Sequence, residues 1–227
     1  MYASYKHEMR ERIIVTLCMS GEGAAVKIQK YIEKHLEHKQ INIVPLAVTT
    51  HTEFIYAINQ LRKDHTIIAI VGTYNPDIYG IPFISLSQLF ATPSDALDVL
   101  MALETEEYPK IESVSVAEMI DSMGDYLINL DLEKLKRTLP KAIDKMTKGH
   151  SISQDQILGL SLHVASYIDR LKSGQYNKTK ATDTYLLQEE SRWVKIVKKA
   201  LEEVETEFFV EFEENELINI MKILQEK

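Results

Sequence analysis

The sequence contains little of what several protein classes require. Its 227 residues include a single cysteine, Cys18, so no internal disulfide framework can form, as is usual in a reducing compartment. No apolar run approaches the ~18 residues that a membrane-spanning helix needs. The N-terminal sequence MYASYKHEMRER is polar and is not that of a signal peptide. These absences predict a globular protein of the cytoplasm.

Basic residues are too few for a nucleic-acid-binding surface. The formal net charge is −8, and acidic side chains outnumber basic ones in both halves of the chain. Proteins that bind DNA or RNA concentrate Lys and Arg on one face, where they neutralise phosphates. If the chain regulates genes, we therefore expect DNA to be bound by a domain outside this sequence. No metal site and no cofactor is predicted.

The first half alternates short apolar runs with amphipathic segments. Strand-like runs are RIIVTL (12–17), INIVPLAV (41–48), TIIAIVG (66–72) and FISL (83–86), and helical segments occupy roughly 24–39, 52–62 and 94–103. Apolar strands that lack polar alternation and are separated by helices indicate a parallel sheet covered on both faces. We predict a Rossmann- or flavodoxin-like α/β domain over residues 1–107.

The periodicity changes from about Glu104. The segment ETEEYPKIES (104–113) has a proline and no periodicity, which predicts a linker. Helical segments follow at roughly 114–130, 132–148, 153–173, 183–206 and 213–226, and predict a five-helix bundle over residues 110–227. Ser151 or Ser153 is expected to cap the third of these helices. The acidic run 202–216 predicts a solvated face interleaved with core phenylalanines.

The helix predicted over 154–172 holds the first candidate site. Apolar positions recur at helical spacing and form one stripe: Ile157, Leu160, Ser161, Val164, Ile168 and Leu171. His163 lies beside this stripe, and Arg170 shares its edge two turns further along. A neutral imidazole can accept a phosphoryl group, which a guanidinium on the same rim would then hold. A histidine packed in the core and satisfied by a backbone carbonyl is the commoner alternative.

The sequence around His163 resembles a known regulatory module. LSLHVASYIDRLKSG (160–174) is similar to the His-containing helix of PTS regulation domains, the PRDs of bacterial antiterminators and transcriptional activators. The family is phosphorylated on this histidine by phosphotransferase-system (PTS) proteins and works as dimers. The resemblance implies that His163 is the phosphoacceptor, that HPr or an enzyme IIA or IIB is the partner, and that the chain forms a homodimer. Ile223 stands where many PRDs carry a second phosphorylatable histidine, so one such site is expected.

A second candidate site follows the first predicted strand. Cys18 stands at its carboxyl end, the edge of a parallel sheet where ligands bind. The residues that lead from it into the next helix form a glycine-containing turn: Met19, Ser20, Gly21, Glu22 and Gly23. Backbone N–H groups in such a turn and at a helix N-terminus favour a thiolate and bind phosphate. A strand-to-helix turn with an incidental cysteine fits the same pattern.

Two other chemistries lack residues that they need. Low-molecular-weight tyrosine phosphatases require Cys-x5-Arg, but Ala24 stands six residues after Cys18 and the loop has no arginine. A redox sensor of the disulfide-forming kind would need a resolving cysteine, and this sequence has only one cysteine.

The first half also resembles enzyme IIB of the galactitol type, whose phosphocysteine loop follows its first strand. It resembles in particular the IIB-like domain of activators of the levanase and mannose operons, through the cysteine loop, VGTYNP (71–76) and IPFISLSQLF (81–90). A IIB-like domain directly before a PRD is the C-terminal order of those activators. The resemblance implies a regulatory fragment of a PTS-controlled activator, with Cys18 as a candidate second phosphoacceptor. The alternative is an enzyme, a sugar-transport IIB phosphocarrier that acts through phospho-Cys18.

Overall fold

The first half of the chain forms a parallel sheet. The computed structural model describes residues 10–18, 22–36, 41–47, 50–92, 113–174 and 188–225. Its strands are β1 Glu11–Cys18, β2 Asn42–Ala47, β3 His65–Gly72 and β4 Phe83–Ser85. They lie in the order β2-β1-β3-β4, and every neighbouring pair is parallel. The predicted parallel sheet is confirmed, whereas its assignment to the flavodoxin-like IIB fold stays a prediction.

Eight α-helices lie among the described residues, five of them in the second half. They are α1 Glu22–His35, α2 His51–Asp64, α3 Leu86–Ala91, α4 Val116–Ser122, α5 Leu132–Thr147, α6 Gln154–Ser173, α7 Gln188–Phe208 and α8 Glu214–Gln225. Helix α4 is shorter than predicted, because a 3-10 turn over Gly124–Tyr126 follows it. Helix α3 was not predicted. The predicted helix 94–103, nearly all of the predicted linker and the boundary at 107–110 lie outside the described residues.

Serine side chains fix where three of the helices begin. Ser85, Ser115 and Ser153 each accept a hydrogen bond from the backbone N–H three residues on, and the side chain there accepts from the serine N–H in return. Ser153 is therefore the cap of α6. The same helix ends at Gly174, whose φ of 69° is left-handed and free of steric cost for glycine.

The two faces of the sheet are covered differently. Alternate residues of β1 point to opposite faces, so Ile13 and Val15 pack with Phe54 of α2 in a smaller apolar cluster. Ile14 and Cys18 belong to a larger cluster on the other face, which contains α1 and continues into the helices of the second half. The two halves therefore share packed apolar surface, and α6 lies against α1 and α3.

Helix α6 is buried on every side along its middle. Each residue from Leu158 to Asp169 is buried, and His163 is 3% exposed. The prediction that His163 lies at the rim of an amphipathic helix is therefore wrong. Helices α1 and α3 cover one side of α6, while α4, α5 and α8 contact it from the second half. None of the helices within the described ranges has the length and hydropathy to cross a membrane.

Gly159 allows α6 to approach the segment after β3. A Cβ atom at residue 159 would lie 2.3 Å from Cγ2 and 2.9 Å from Cβ of Thr73. We expect Gly159→Ala to lower the free energy of unfolding by about 1–3 kcal/mol, because the added methyl group must push packed elements apart. Thr73→Ser removes the nearest atom, so the loss should be smaller in that background. Denaturant unfolding of the wild type, Gly159→Ala, Thr73→Ser and the double variant measures the difference. If Gly159→Ala costs as much stability in the Thr73→Ser background as in the wild type, the contact is contradicted.

Candidate functional site

Polar side chains on α6 form two separate contact regions. His163 faces α8, whereas Asp169 and Arg170 face α1 at the C-terminal end of the helix. His163 and Arg170 are seven residues apart, which is about 10.5 Å along the helix axis. Within the described ranges, no three His, Cys, Asp or Glu side chains are arranged as metal ligands.

The first region is the contact between His163 and Glu216. Nε2 of His163 lies 2.6 Å from Oε1 of Glu216, and the two side chains are 4% and 9% exposed. The distance is that of an ion pair, but the two atoms lack the alignment of a hydrogen bond. The contact is therefore electrostatic, because the interaction of a charge with a nearby group depends on distance whatever the orientation of the ring. Burial strengthens any charge interaction here, since little water screens it.

Sequence reasoning missed Glu216 because it ends the acidic run 202–216. That run was expected to form a solvated face interleaved with core phenylalanines. Glu202 and Glu211 are exposed and Phe208 and Phe212 are buried, but Phe209 is 85% exposed and contradicts the expectation. The expectation is wrong for Glu216, which lies in the first turn of α8 and is 7% exposed. The available signal was its helical spacing, because residue 216 lies one turn before the buried Ile220 on the same face.

The second region is a buried ion pair between the two halves. Nζ of Lys27 on α1 lies 2.7 Å from Oδ2 of Asp169. Oδ1 of Asp169 accepts hydrogen bonds from the backbone N–H and the side-chain amide of Asn129, at 2.9 and 3.1 Å. Lys27 also donates to the backbone carbonyl of Tyr126. Both charges are thus held by several partners, which joins α1, α6 and the segment after α4.

Arg170 lies beside this ion pair, against the first turn of α1. A Cβ atom at Gly23 would lie 3.1 Å from Cζ and Nη1 of the guanidinium, so the glycine lets the side chain lie close. Cζ is 5.8 Å from the ring centroid of Tyr167, a cation–π distance. Nε is buried and has no hydrogen-bond partner in the part of the chain that the structure describes. The structure therefore brings Arg170 to the end of the cysteine loop and not to His163, beside which the sequence analysis expected it.

Cys18 ends β1 as predicted, but its side chain has no exposed surface. It belongs to the larger apolar cluster, together with residues of α1. Of the predicted phosphate loop, Met19, Ser20, Gly21 and the side chain of Glu22 lie outside the described residues. The loop is thus described only at its two ends, Cys18 and Gly23. In this conformation a phosphoryl donor has no direct access to the thiol.

Comparison with protein families concerns the helical half. Residues 141–227 match the PRD domain. This PRD match begins within the second half of α5 and contains α6, α7 and α8. The contact between His163 and Glu216 lies wholly within the match, whereas Lys27 and Gly23 lie in the α/β half outside it.

A relative among curated proteins extends the similarity beyond the PRD match. The transcriptional regulatory protein DagR of Salmonella typhimurium (strain 14028s / SGSC 2262) is 22% identical over 176 residues. The alignment covers 70% of this chain, which exceeds the helical half, so it includes part of the α/β half. It covers 19% of DagR, so the chain spans about a fifth of that relative's length. No solved structure matches the chain.

We expect the Lys27–Asp169 pair to hold α1 against α6. Asp169→Asn leaves the Lys27 ammonium buried without its counter-charge, so the free energy of unfolding should fall by about 3–5 kcal/mol. Denaturant unfolding measures the loss. A change within experimental error would show that the packing of α1 on α6 does not depend on this pair.

The exposed pair between Lys34 and Asp125 provides a matched control on the same helix. Its side chains are 54% and 72% exposed, so Asp125→Asn should reduce stability far less than Asp169→Asn. The hydrogen bond and charge of Lys34 hold the pKa of the Asp125 carboxyl below its ordinary value. What this pair contributes is therefore present above that ordinary pKa, and is lost as the pH falls through the lowered pKa.

Proposed function

We propose that the chain is the regulatory part of a transcriptional activator that is controlled by PTS phosphorylation, with His163 as the phosphoacceptor. The buried contact between His163 and Glu216, within the PRD match, carries the proposal. PRD domains are regulated by PTS proteins, so HPr or an enzyme IIA or IIB is the proposed donor. The similarity to DagR supports a role in gene regulation. DNA is bound, in this proposal, by a domain outside the sequence.

The proposed switch is a change in charge between α6 and α8. A phosphoryl group on His163 adds a charge of roughly −2 beside the Glu216 carboxylate. Two like unit charges 4 Å apart repel by about 4 kcal/mol at an effective dielectric constant of ~20. This exceeds the ~1–3 kcal/mol of a typical allosteric coupling. Phosphorylation therefore drives α8 away from His163.

Helix α8 is the element that responds. It packs on α7 and α6, and its buried side chains Leu217, Ile220 and Met221 anchor it there. Displacing it exposes apolar surface that a second copy of the chain can cover, which links the switch to the proposed homodimer. Because His163 is itself buried, phosphoryl transfer requires the same opening that the phosphoryl group then stabilises.

Phosphate incorporation tests the phosphoacceptor. The chain is incubated with phosphoenolpyruvate, enzyme I, HPr and candidate IIA and IIB proteins. We expect label that maps to His163 in the wild type and in His150→Ala, and we expect His163→Ala to lose that label. His150 is the matched control, because it is an exposed histidine within the PRD match. Mass spectrometric mapping identifies the site. Equal labelling of the wild type and His163→Ala, with none mapped to residue 163, would refute the proposal.

Hydrogen exchange tests the mechanism. Phosphorylation should accelerate amide exchange over residues 214–225 in the wild type, and less in Glu216→Gln, which keeps the shape of the side chain but removes its charge. Glu214→Gln is the control, since Glu214 lies in the same turn of α8 and is exposed. It should respond as the wild type does. Equal acceleration in all three proteins would mean that Glu216 does not drive the movement.

Cys18 is proposed as a second phosphoacceptor of the same regulator. Its position at the end of β1 and close before α1 supports this, because a helix N-terminus stabilises an anionic sulfur or phosphate group. Its burial means that transfer requires the thiol to become exposed. The alternative of a IIB transport enzyme needs repeated access to the same thiol, and a buried Cys18 gives it no support. The domain bounds 1–107 and 110–227 belong to this proposal.

A further inference from the structure

The space between α1 and α6 is a cleft of about 540 Å³. This is within the range of sites that hold small molecules, ~300–1,000 Å³. Its charged lining consists of Lys27, Lys30, Arg170 and Asp169, and apolar side chains at its edge include Val26 and Ile128. The cleft lies between the two halves, about two helical turns from His163, and takes no part in the switch proposed above.

The charges in this cleft do not cancel. Asp169 is occupied by Lys27 at 2.7 Å. Lys30 and Arg170 form no ion pair with any residue of the described ranges. Two cations without an ion pair among the described residues stand out in a chain whose net charge is −8. A concave surface focuses the field of such charges and attracts anions.

The position and surroundings of the Arg170 guanidinium favour binding of an anion. Its Nε is buried and has no hydrogen-bond partner among the described residues, so no carboxylate of this part of the chain already holds that side of the guanidinium. The ring of Tyr167, 5.8 Å from Cζ, and the close approach to Gly23 hold the guanidinium in place. A phosphate group accepts two parallel hydrogen bonds from such a fork. Gly23 lies in the first turn of α1, so the positive end of that helix adds to the same field.

We propose that the cleft binds a small organic phosphate monoester. Arg170 and Lys30 hold the phosphate group, and Lys27 stays with Asp169. Val26 and Ile128 contact the organic part of the ligand. Ile128 is 77% exposed, and a bound ligand would cover it. The proposal is independent of His163, because it concerns binding to the unphosphorylated chain.

Calorimetric titration of the intact chain near neutral pH tests the ligand class. The probes are phenyl phosphate, inorganic phosphate and chloride at matched ionic strength. We expect phenyl phosphate to bind about tenfold more tightly than inorganic phosphate, because its ring covers apolar surface, and chloride to give no heat of binding. Equal affinities for phenyl phosphate and inorganic phosphate would overturn the contact with an organic part. Absence of binding by both would overturn the site.

Variants then locate the binding. Lys30→Met and Arg170→Met should each weaken phenyl phosphate binding about tenfold or more, since each removes a charge-assisted contact. Lys195→Met is the control, because Lys195 is an exposed lysine of α7 outside the cleft, and its affinity should be unchanged. Lys30 is also exposed, so its variant keeps the test valid if Arg170→Met unfolds. Unchanged affinity in Lys30→Met and in any folded Arg170 variant would place the binding elsewhere.

The organic contact has its own variant. Ile128→Ser should bring the affinity for phenyl phosphate close to that for inorganic phosphate, while the affinity for inorganic phosphate stays the same. An unchanged preference for phenyl phosphate would show that Ile128 does not contact the ligand. Failure of these experiments leaves the labelling of His163 unaffected, so the two proposals are judged separately.

Discussion

The burial of α6 is the constraint on which the rest of the structure depends. A helix that is covered on every side along its middle buries the polar groups that it carries there, and a buried polar group without a partner is unfavourable. Asp169 meets this requirement through Lys27 and Asn129, which come from the other half and from a preceding segment. His163 meets Glu216 at ion-pair distance without the alignment of a hydrogen bond. Asp169 and His163 therefore each connect α6 to one particular neighbour, α1 and α8 respectively.

The two buried pairs on α6 differ in what they can do. Lys27 and Asp169 each have further hydrogen bonds, so breaking either partner leaves a buried charge and is strongly unfavourable. Such a pair fixes the position of α1 on α6. In the pair of His163 and Glu216, the imidazole is charged only when protonated, and a ring nitrogen can be modified chemically. The charge of the His163–Glu216 pair can therefore change, whereas the Lys27–Asp169 pair keeps α1 in a fixed position on α6.

Periodicity predicted most strands and helices, because buried strands and helices differ in the spacing of their apolar residues. Helix α3 was not predicted, because its six residues are too few to show a helical period and begin within an apolar run. The burial of α6 on every side was not predicted either. Its serines, His163 and Asp169 have the composition of a partly solvated helix, and only tertiary partners reveal that they are buried. Lys27 is 142 residues away from Asp169, and no local pattern relates the two.

The expectation that Arg170 lies beside His163 came from spacing along a single helix. Helical spacing places both side chains on one edge of α6, but it does not say which neighbouring helix each meets. The structure separates them, because α8 approaches the middle of α6 and α1 approaches its C-terminal end. Spacing along one helix gives relative position, whereas contact depends on packing between helices.

In the proposed switch, the packing of α6 and α8 decides which helix moves when a phosphoryl group on His163 repels Glu216. Helix α6 is held by an unbroken run of buried residues from Leu158 to Asp169 and by the Lys27 pair. Helix α8 is held by the buried apolar side chains of Leu217, Ile220 and Met221. A repulsion of about 4 kcal/mol per pair of unit charges is comparable to the loss of one or two such side chains from a core. In the proposed switch, α8 is therefore the helix that moves first, while α6 keeps its place on α1 and transmits little displacement to the α/β half.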